Sequence, residues 1–430
     1  MILRQKPLTL RWTIVATIVI AIICNYLDRQ LLSILKPEIL NHFAIGDIEF
    51  AWILNVFLVC YAVMYPVSGI LVDRFGPKPV MFGGIALWSV ACIGGGLSQD
   101  VYQFAVCRGL LGLAEPTIFT GQLVAVTLWF EKKTRATANS LCQAGGSIGT
   151  MTAPLLVAWM TRFLPWQEVF IIAGVAGLVI AFIWWIVYSN PSSQFLAVTI
   201  DDTKKIPLRD EAALSLGALF TTSALWGVVL IRLVSDPVWY FINFWLPGFL
   251  RDLGSEQGLD YQQTLDMIQY IGGIPFLVGA TCGVLASAYS DRLVGKGWNA
   301  LRSRKVVMGL SACLAPVAAL IPWLSHWQDV SFSARLALIT AAFAIIAFVC
   351  LVWLYNIGVV IAEAFPVRNV ATVLGIACGA GAVGAACFNL VVGSLLASMG
   401  EYLFYCMACL HPIATLVLFR MVKPAKSVAN

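Results

Sequence analysis

Gly69-Ile-Leu-Val-Asp73-Arg74-Phe-Gly76-Pro-Lys78 and, far downstream, Ser287-Ala-Tyr-Ser-Asp291-Arg292-Leu-Val-Gly295-Lys296 are two copies of one pattern. Each is a short basic turn at the end of a long apolar run. A membrane-spanning helix needs ~20 mostly apolar residues, because unpaired backbone groups cannot face lipid. Twelve such runs occur, near 12–34, 51–72, 79–97, 101–129, 138–163, 167–188, 216–250, 265–289, 305–324, 332–360, 370–398 and 402–421. The first copy follows the second run and the second copy follows the eighth, so the chain reads as a duplicated six-span unit. The expected fold is an all-α integral membrane protein: twelve transmembrane helices in two six-helix pseudo-symmetric halves.

Composition agrees. Of the 430 residues 60% are hydrophobic and 11% charged, against about a quarter charged in soluble domains. The first run follows Arg4, Lys6 and Arg11, but it carries Asp28 and Arg29, is too long for a signal peptide's apolar region, and reads as a retained span. Of the 27 Lys and Arg, twenty fall in loops or tails on one side and four on the other, which predicts both termini to be cytoplasmic. The net charge of +5 therefore follows from topology and calls for no nucleic-acid partner. The twelve cysteines are scattered through the spans, and Cys406 and Cys409 lie in an apolar run without His or carboxylate neighbours, so neither disulfides nor a metal site is implied. His42, His326 and His411 stand apart from one another. No strand precedes Gly145-Gly146-Ser147-Ile-Gly149 and no Gly-Lys-Ser/Thr follows it, so it reads as a helix-crossing surface; no cofactor is expected.

A second internal echo links Arg135-Ala-Thr-Ala, before Gly145, Gly146 and Gly149, to Arg368-Asn-Val-Ala-Thr, before Gly379, Gly381 and Gly384. The longest polar stretch lies between the halves. The expected division is an N-terminal six-helix bundle at 1–189, a cytoplasmic linker at 190–215 and a C-terminal six-helix bundle at 216–430. In the duplicated turn, Gly69 lets helices approach closely, while Asp73 and Arg74, echoed by Asp291 and Arg292, can pair across the halves in one conformation only.

Six ionisable residues lie within spans: Asp28, Arg29, Arg108, Glu115, Arg232 and Asp236. Each costs at least ~2.5 kcal/mol to insert, so each is a functional candidate. At ~1.5 Å per residue, Asp28, Arg29 and Arg108 sit at similar depth and Glu115 near the midplane. Arg108 and Glu115 are two helical turns apart on one face, too far to pair easily, and each needs another partner. The arginines suit a planar carboxylate substrate, held by Arg29 or Arg108. Asp28 and Glu115 would then carry protons. The competing reading is permanent ion pairs that fix packing; it is strongest for Arg232 and Asp236, spaced to pair on their own helix.

The glycine-rich Asp-Arg loop, its weaker copy and the six-plus-six layout resemble the major facilitator superfamily across essentially the whole chain. Asn25-Tyr26-Leu-Asp28-Arg29 and Arg108-Gly-x3-Gly112-x2-Glu115 resemble galactonate permeases of its anion:cation symporter family. Arg232-Leu-Val-Ser-Asp236-Pro237-x-Trp239-x3-Asn243-x-Trp245-Leu-Pro247 resembles hexuronate permeases, and Tyr61 with Tyr65-Pro66 resembles the family's second span. The resemblance implies proton-driven uptake of a sugar acid. Substrate contacts fall on Arg29 and Tyr61 with Tyr26 beside them, proton handling on Asp28 and Glu115, and hydroxyl or ring contacts on Trp239 and Asn243. The chain departs from the pattern at Ala377 and Cys378, where polar positions are expected, and adds Asn389.

An integral membrane enzyme would need a nucleophile, base or metal cluster, and no such motif is present. A transport-fold sensor and a drug exporter are the other rivals; paired intramembrane arginines favour an anionic substrate over the latter. The expectation is a multi-pass inner (plasma) membrane transporter, monomeric, whose partners are a small organic anion, protons and the lipid bilayer. Its substrate is expected to be a hexuronate such as glucuronate or galacturonate, with an aldonate, aldarate or other carboxylate as the alternative.

Overall fold

The computed structural model describes residues 5–191 and 213–424, without the side chains of 5–8, 47, 244–245, 265, 269–270 and 389–401. Among the described residues every regular element is helical. Eleven segments among the described residues are both long and apolar enough to cross a bilayer. The remaining expected span, the fifth, is the 26-residue helix Arg135–Met160, whose hydropathy is diluted by Arg135, Asn139, Gln143 and its Gly, Ser and Thr residues. Its polar groups are tolerated because Asn139, Ser140, Gly145 and Gly146 are buried against neighbouring helices rather than lipid.

In chain order the other spans are the first, Gln5–Ile34; the second, Asp47–Phe75; the third, Pro77–Leu97; the fourth, Val101–Ala114 and Pro116–Trp129; and the sixth, Trp166–Val187. The second half continues with the seventh, Ser223–Glu256; the eighth, Ile274–Gly295; the ninth, Ala300–His326; and the tenth, Phe332–Ala364. The eleventh and twelfth fall within the helix Val370–Met421.

Several boundaries differ from the hydropathy reading. The eighth span starts later than expected, because Asp260 and Gln263 cap a separate helix, Tyr261–Ile271, and Gly272-Gly273 breaks the chain before Pro275 opens the span. The seventh starts at Ser223, where the Thr222 hydroxyl accepts from the Leu225 N–H, and Leu216–Phe220 is a short separate helix. The linker expected at 190–215 lies mostly outside the described residues. At its far end the Asn369 side chain bonds both backbone groups of Leu214, at 2.9 Å each.

The two halves repeat one packing scheme. The first span packs on the fifth and the second on the fourth; correspondingly the seventh packs on the eleventh and the eighth on the tenth. Between halves, the second span meets the eleventh and the fifth meets the eighth. Exchanging the halves maps one interface onto the other, as the duplicated sequence requires.

Two glycines set the turn and its crossing. Gly76 adopts φ +84°, a backbone that a side chain disfavours, and Pro77 then opens the third span. Gly69 faces the eleventh span so closely that an added Cβ would lie 2.3 Å from the Ala371 carbonyl oxygen. Gly69→Val must therefore push the two halves apart at this end, an overpacking cost of ~1–3 kcal/mol. The expected result is faster maleimide labelling of a single reporter cysteine at Leu123, which lines the space between the halves, than in the parent; unchanged labelling would show that this crossing does not govern access.

Candidate functional site

The first span delivers two different faces. Tyr26 and Arg29, three residues apart, line a cavity between the halves. Asn25 and Asp28, equally spaced but rotated inward, are 0% and 1% exposed. Sequence reading groups these residues; helical geometry separates them.

The fourth span is interrupted where its acid lies. Pro116 has no N–H and cannot continue the ladder, so the helix breaks at Glu115, which is fully buried. The Arg29 guanidinium crosses from the first span to pair with the Glu115 carboxylate. Glu115 does not line the cavity; Arg29, whose side chain is 26% exposed, does. Three rings frame that guanidinium: Tyr26 at 5.1 Å, Phe57 at 5.5 Å and Tyr61 at 4.8 Å from their centroids. Tyr61 also hydrogen-bonds Tyr65, with the hydroxyls 2.9 Å apart.

Behind this pair lies a polar nest within the first half. Arg108, 2% exposed, stacks over Phe57 at 5.5 Å and makes no ion pair with the described residues. Asp28 meets only the weak Cys92 thiol donor at 3.9 Å, and its other oxygen has no protein partner. One Glu115 oxygen and two Arg108 nitrogens are likewise unsatisfied by protein. Buried groups with spare hydrogen-bonding capacity are rare in folded proteins and concentrate at functional sites. The structure thus puts Arg29 in the cavity and keeps Arg108, one of the two expected carboxylate holders, behind it.

From the second half come Arg232, Asp236, Trp239 and Tyr240. Arg232 and Asp236 pair at 3.0 Å on their own helix, as their spacing suggested, yet both face the cavity. Cys378 lines the wall beside them, its sulfur 3.5 Å from Arg232. Trp239 packs edge-on against Phe276 at 5.6 Å. Asn243 is turned back to donate to the Trp239 carbonyl at 2.7 Å and borders a smaller adjoining recess. Asn389 and Trp245 lie outside the described side chains.

Asn139 and Gln143, one turn apart on the fifth span, also line the cavity. Sequence reading passed over them, although amides at this spacing in a span were the available signal. Asn139 accepts from Gln122 at 2.8 Å and donates to the Tyr355 carbonyl at 2.7 Å, tying the halves together.

One end of the bundle carries the basic loops, and there the halves are bolted by matching contacts. Asp73 accepts from the N–H groups of Ala371 and Thr372, at 3.1 and 2.7 Å, at the start of the eleventh span. Asp291 accepts from those of Ala136 and Thr137, at 3.3 and 2.7 Å, at the start of the fifth. Each carboxylate caps a helix of the opposite half, where the exposed N–H groups and helix dipole favour a negative charge. Arg74 does not cross: it lies over Phe75 at 5.2 Å. Asp291 pairs not with adjacent Arg292 but with fully buried Arg304, at 2.7 Å. Arg135 and Glu363, both buried, add an ion pair between halves at 3.0 Å.

Breaking a buried pair costs ~3–5 kcal/mol, because the partner charge is stranded. Asp291→Asn is therefore expected to open this end and speed labelling of the Leu123 reporter cysteine. Adding Arg304→Met, which removes the stranded charge, should restore part of the closure. Equal labelling of all three proteins would show that Asp291 does not hold this end closed.

Two pseudo-symmetric six-span halves that meet around a cavity are the architecture of a membrane transporter. The chain belongs to the Major Facilitator Superfamily, whose family model matches residues 18–357. It is 28% identical over 440 residues to the hexuronate transporter of Escherichia coli (strain K12), covering 99% of this chain and 98% of that protein. It is 30% identical over 315 residues to the galacturonate transporter of Dickeya chrysanthemi, covering 71% and 89%. It is 29% identical over 329 residues to the D-galactonate transporter of Escherichia coli O6:H1, covering 72% and 74%. The fold matches the proton:xylose symporter XylE with a TM-score of 0.71 at 13% identity, over 97% of each chain.

Proposed function

We propose that this chain is a proton-coupled symporter that takes up a small organic anion, most simply a hexuronate such as glucuronate or galacturonate, by alternating access. The observation that carries this is the Arg29–Glu115 pair: a guanidinium facing the cavity whose counter-ion is hidden behind it. Protonating Glu115 frees the Arg29 fork for a substrate carboxylate; deprotonation returns Glu115 to Arg29 and expels the substrate. Proton and anion are then bound together and released together. The hexuronate and galacturonate transporters named above support the substrate class, and the D-galactonate transporter supports the aldonate alternative.

In this reading residues 1–189 and 216–430 move against each other about the 190–215 linker. The basic end is cytoplasmic, both termini included. Asp73 and Asp291 are its gate, with Gly69 at the crossing, Arg74 and Arg292 as flanking topology charges, and a monomer as the working unit. Tyr26, Tyr61, Trp239 and Asn243 contact the sugar, and Asp28 with Arg108 lies on the proton side of Arg29.

The test is uptake of labelled glucuronate into proteoliposomes, with and without an inward proton gradient. Accumulation above equilibrium that needs the gradient and is competed by galacturonate is expected. Uptake that merely equilibrates, whatever the gradient, would dismiss the coupling.

A further inference from the structure

Arg29 and Arg232 reach one cavity from opposite halves, but their acids are placed differently. Glu115 is 0% exposed and stands behind Arg29, so the first half shows the cavity positive charge. In the second half both members of the pair line the cavity, so Arg232 and Asp236 show it a donor and an acceptor held 3.0 Å apart.

Neither member is saturated. A guanidinium has five N–H donors; Arg232 engages Asp236 and the Cys378 sulfur through a single terminal nitrogen. The Asp236 oxygen not facing Arg232 has only the Ser235 hydroxyl at 3.5 Å, the outer limit of a hydrogen bond. Gly381 leaves the space the Asp236 carboxylate fills: a Cβ there would lie 2.1 Å from its Oδ2.

A donor beside an acceptor on one cavity wall matches a hydroxyl, which both donates and accepts, and matches neighbouring hydroxyls of a polyol better still. It does not match a second carboxylate. That group only accepts, and reaching Arg232 would set it beside the Asp236 charge. We infer that the Arg232–Asp236 pair is the hydroxyl-reading half of the site, selecting polyhydroxylated monocarboxylates and rejecting dicarboxylates. The inference rests on the anion-transport reading above and narrows its substrate class: aldonates and hexuronates fit, and aldarates do not.

The test reads binding, independently of coupling, as ligand-induced thermal stabilisation of the purified full-length protein. The probes are glucuronate, galactonate, the dicarboxylate glucarate and the hydroxyl-free hexanoate. The first two are expected to bind at least ~10-fold more tightly than the last two. In Asp236→Asn glucarate should gain on galactonate by about 10-fold, because the repelling charge is gone while an acceptor oxygen remains. Arg232→Gln combined with Asp236→Asn, which strands no charge, should lower the preference for galactonate over hexanoate. Glucarate binding as tightly as galactonate in the parent protein would overturn the inference and leave anion transport standing. Stabilisation by none of the four would overturn the substrate reading together with it.

Discussion

Arg29→Ala is expected to lower substrate affinity by about 100-fold or more while leaving the protein folded. Two charge-assisted hydrogen bonds to a carboxylate, each worth ~1.5–3 kcal/mol, disappear together, and every 1.4 kcal/mol is a tenfold change in affinity. Folding survives because Glu115 can take up a proton once its partner is gone. Arg29→Lys retains the charge but loses the planar fork, so an intermediate loss of about 10-fold is expected. The four cavity-facing or neighbouring groups Tyr26, Phe57, Tyr61 and Glu115 hold this guanidinium in place. A thermal-shift titration with glucuronate checks the series, and parent-like affinity in Arg29→Ala would end its role as the carboxylate holder.

Glu115→Gln separates binding from coupling. In the proposed mechanism rising pH deprotonates Glu115, which recaptures Arg29 and competes with substrate, so affinity in the parent is expected to fall as pH rises. The glutamine keeps the shape but neither ionises nor competes. Affinity in the mutant should therefore stay flat with pH and exceed the parent's by about 10-fold at the alkaline end, while gradient-driven accumulation is lost and substrate counterflow persists. Asp28→Asn provides the contrast. The Asp28 side chain neither bonds the Arg29 guanidinium nor lines the cavity, so its loss is expected to impair accumulation without flattening the pH dependence of binding. Gradient-driven accumulation persisting in Glu115→Gln would take Glu115 out of the proton path.

Much of the fold could be read in one dimension because the bilayer imposes a local rule: each helix must satisfy its own backbone and present apolar side chains over ~20 residues. Boundaries slipped where chemistry within a run overrides hydropathy, as at Gly272-Gly273 before the eighth span and at Glu115-Pro116 inside the fourth. The fifth span is the opposite case, a helix that hydropathy barely marks because its polar side chains are buried in the protein.

By itself the sequence determined that this chain crosses the membrane many times, that its two halves are copies, and that arginines and carboxylates lie inside the spans. Each of these follows from composition or spacing along the chain. Only the tertiary structure decided which charge meets which. Arg29 rather than Arg108 holds Glu115, Arg304 rather than its neighbour Arg292 holds Asp291, and Asp73 caps a helix almost three hundred residues away. Arg232 and Asp236, which spacing alone left as a local pair, prove to face the cavity. Spacing specifies the face of a helix, but the rotation of that helix against its neighbours comes from side-chain packing between distant segments, and this decides whether a charge meets ligand, lipid or another charge.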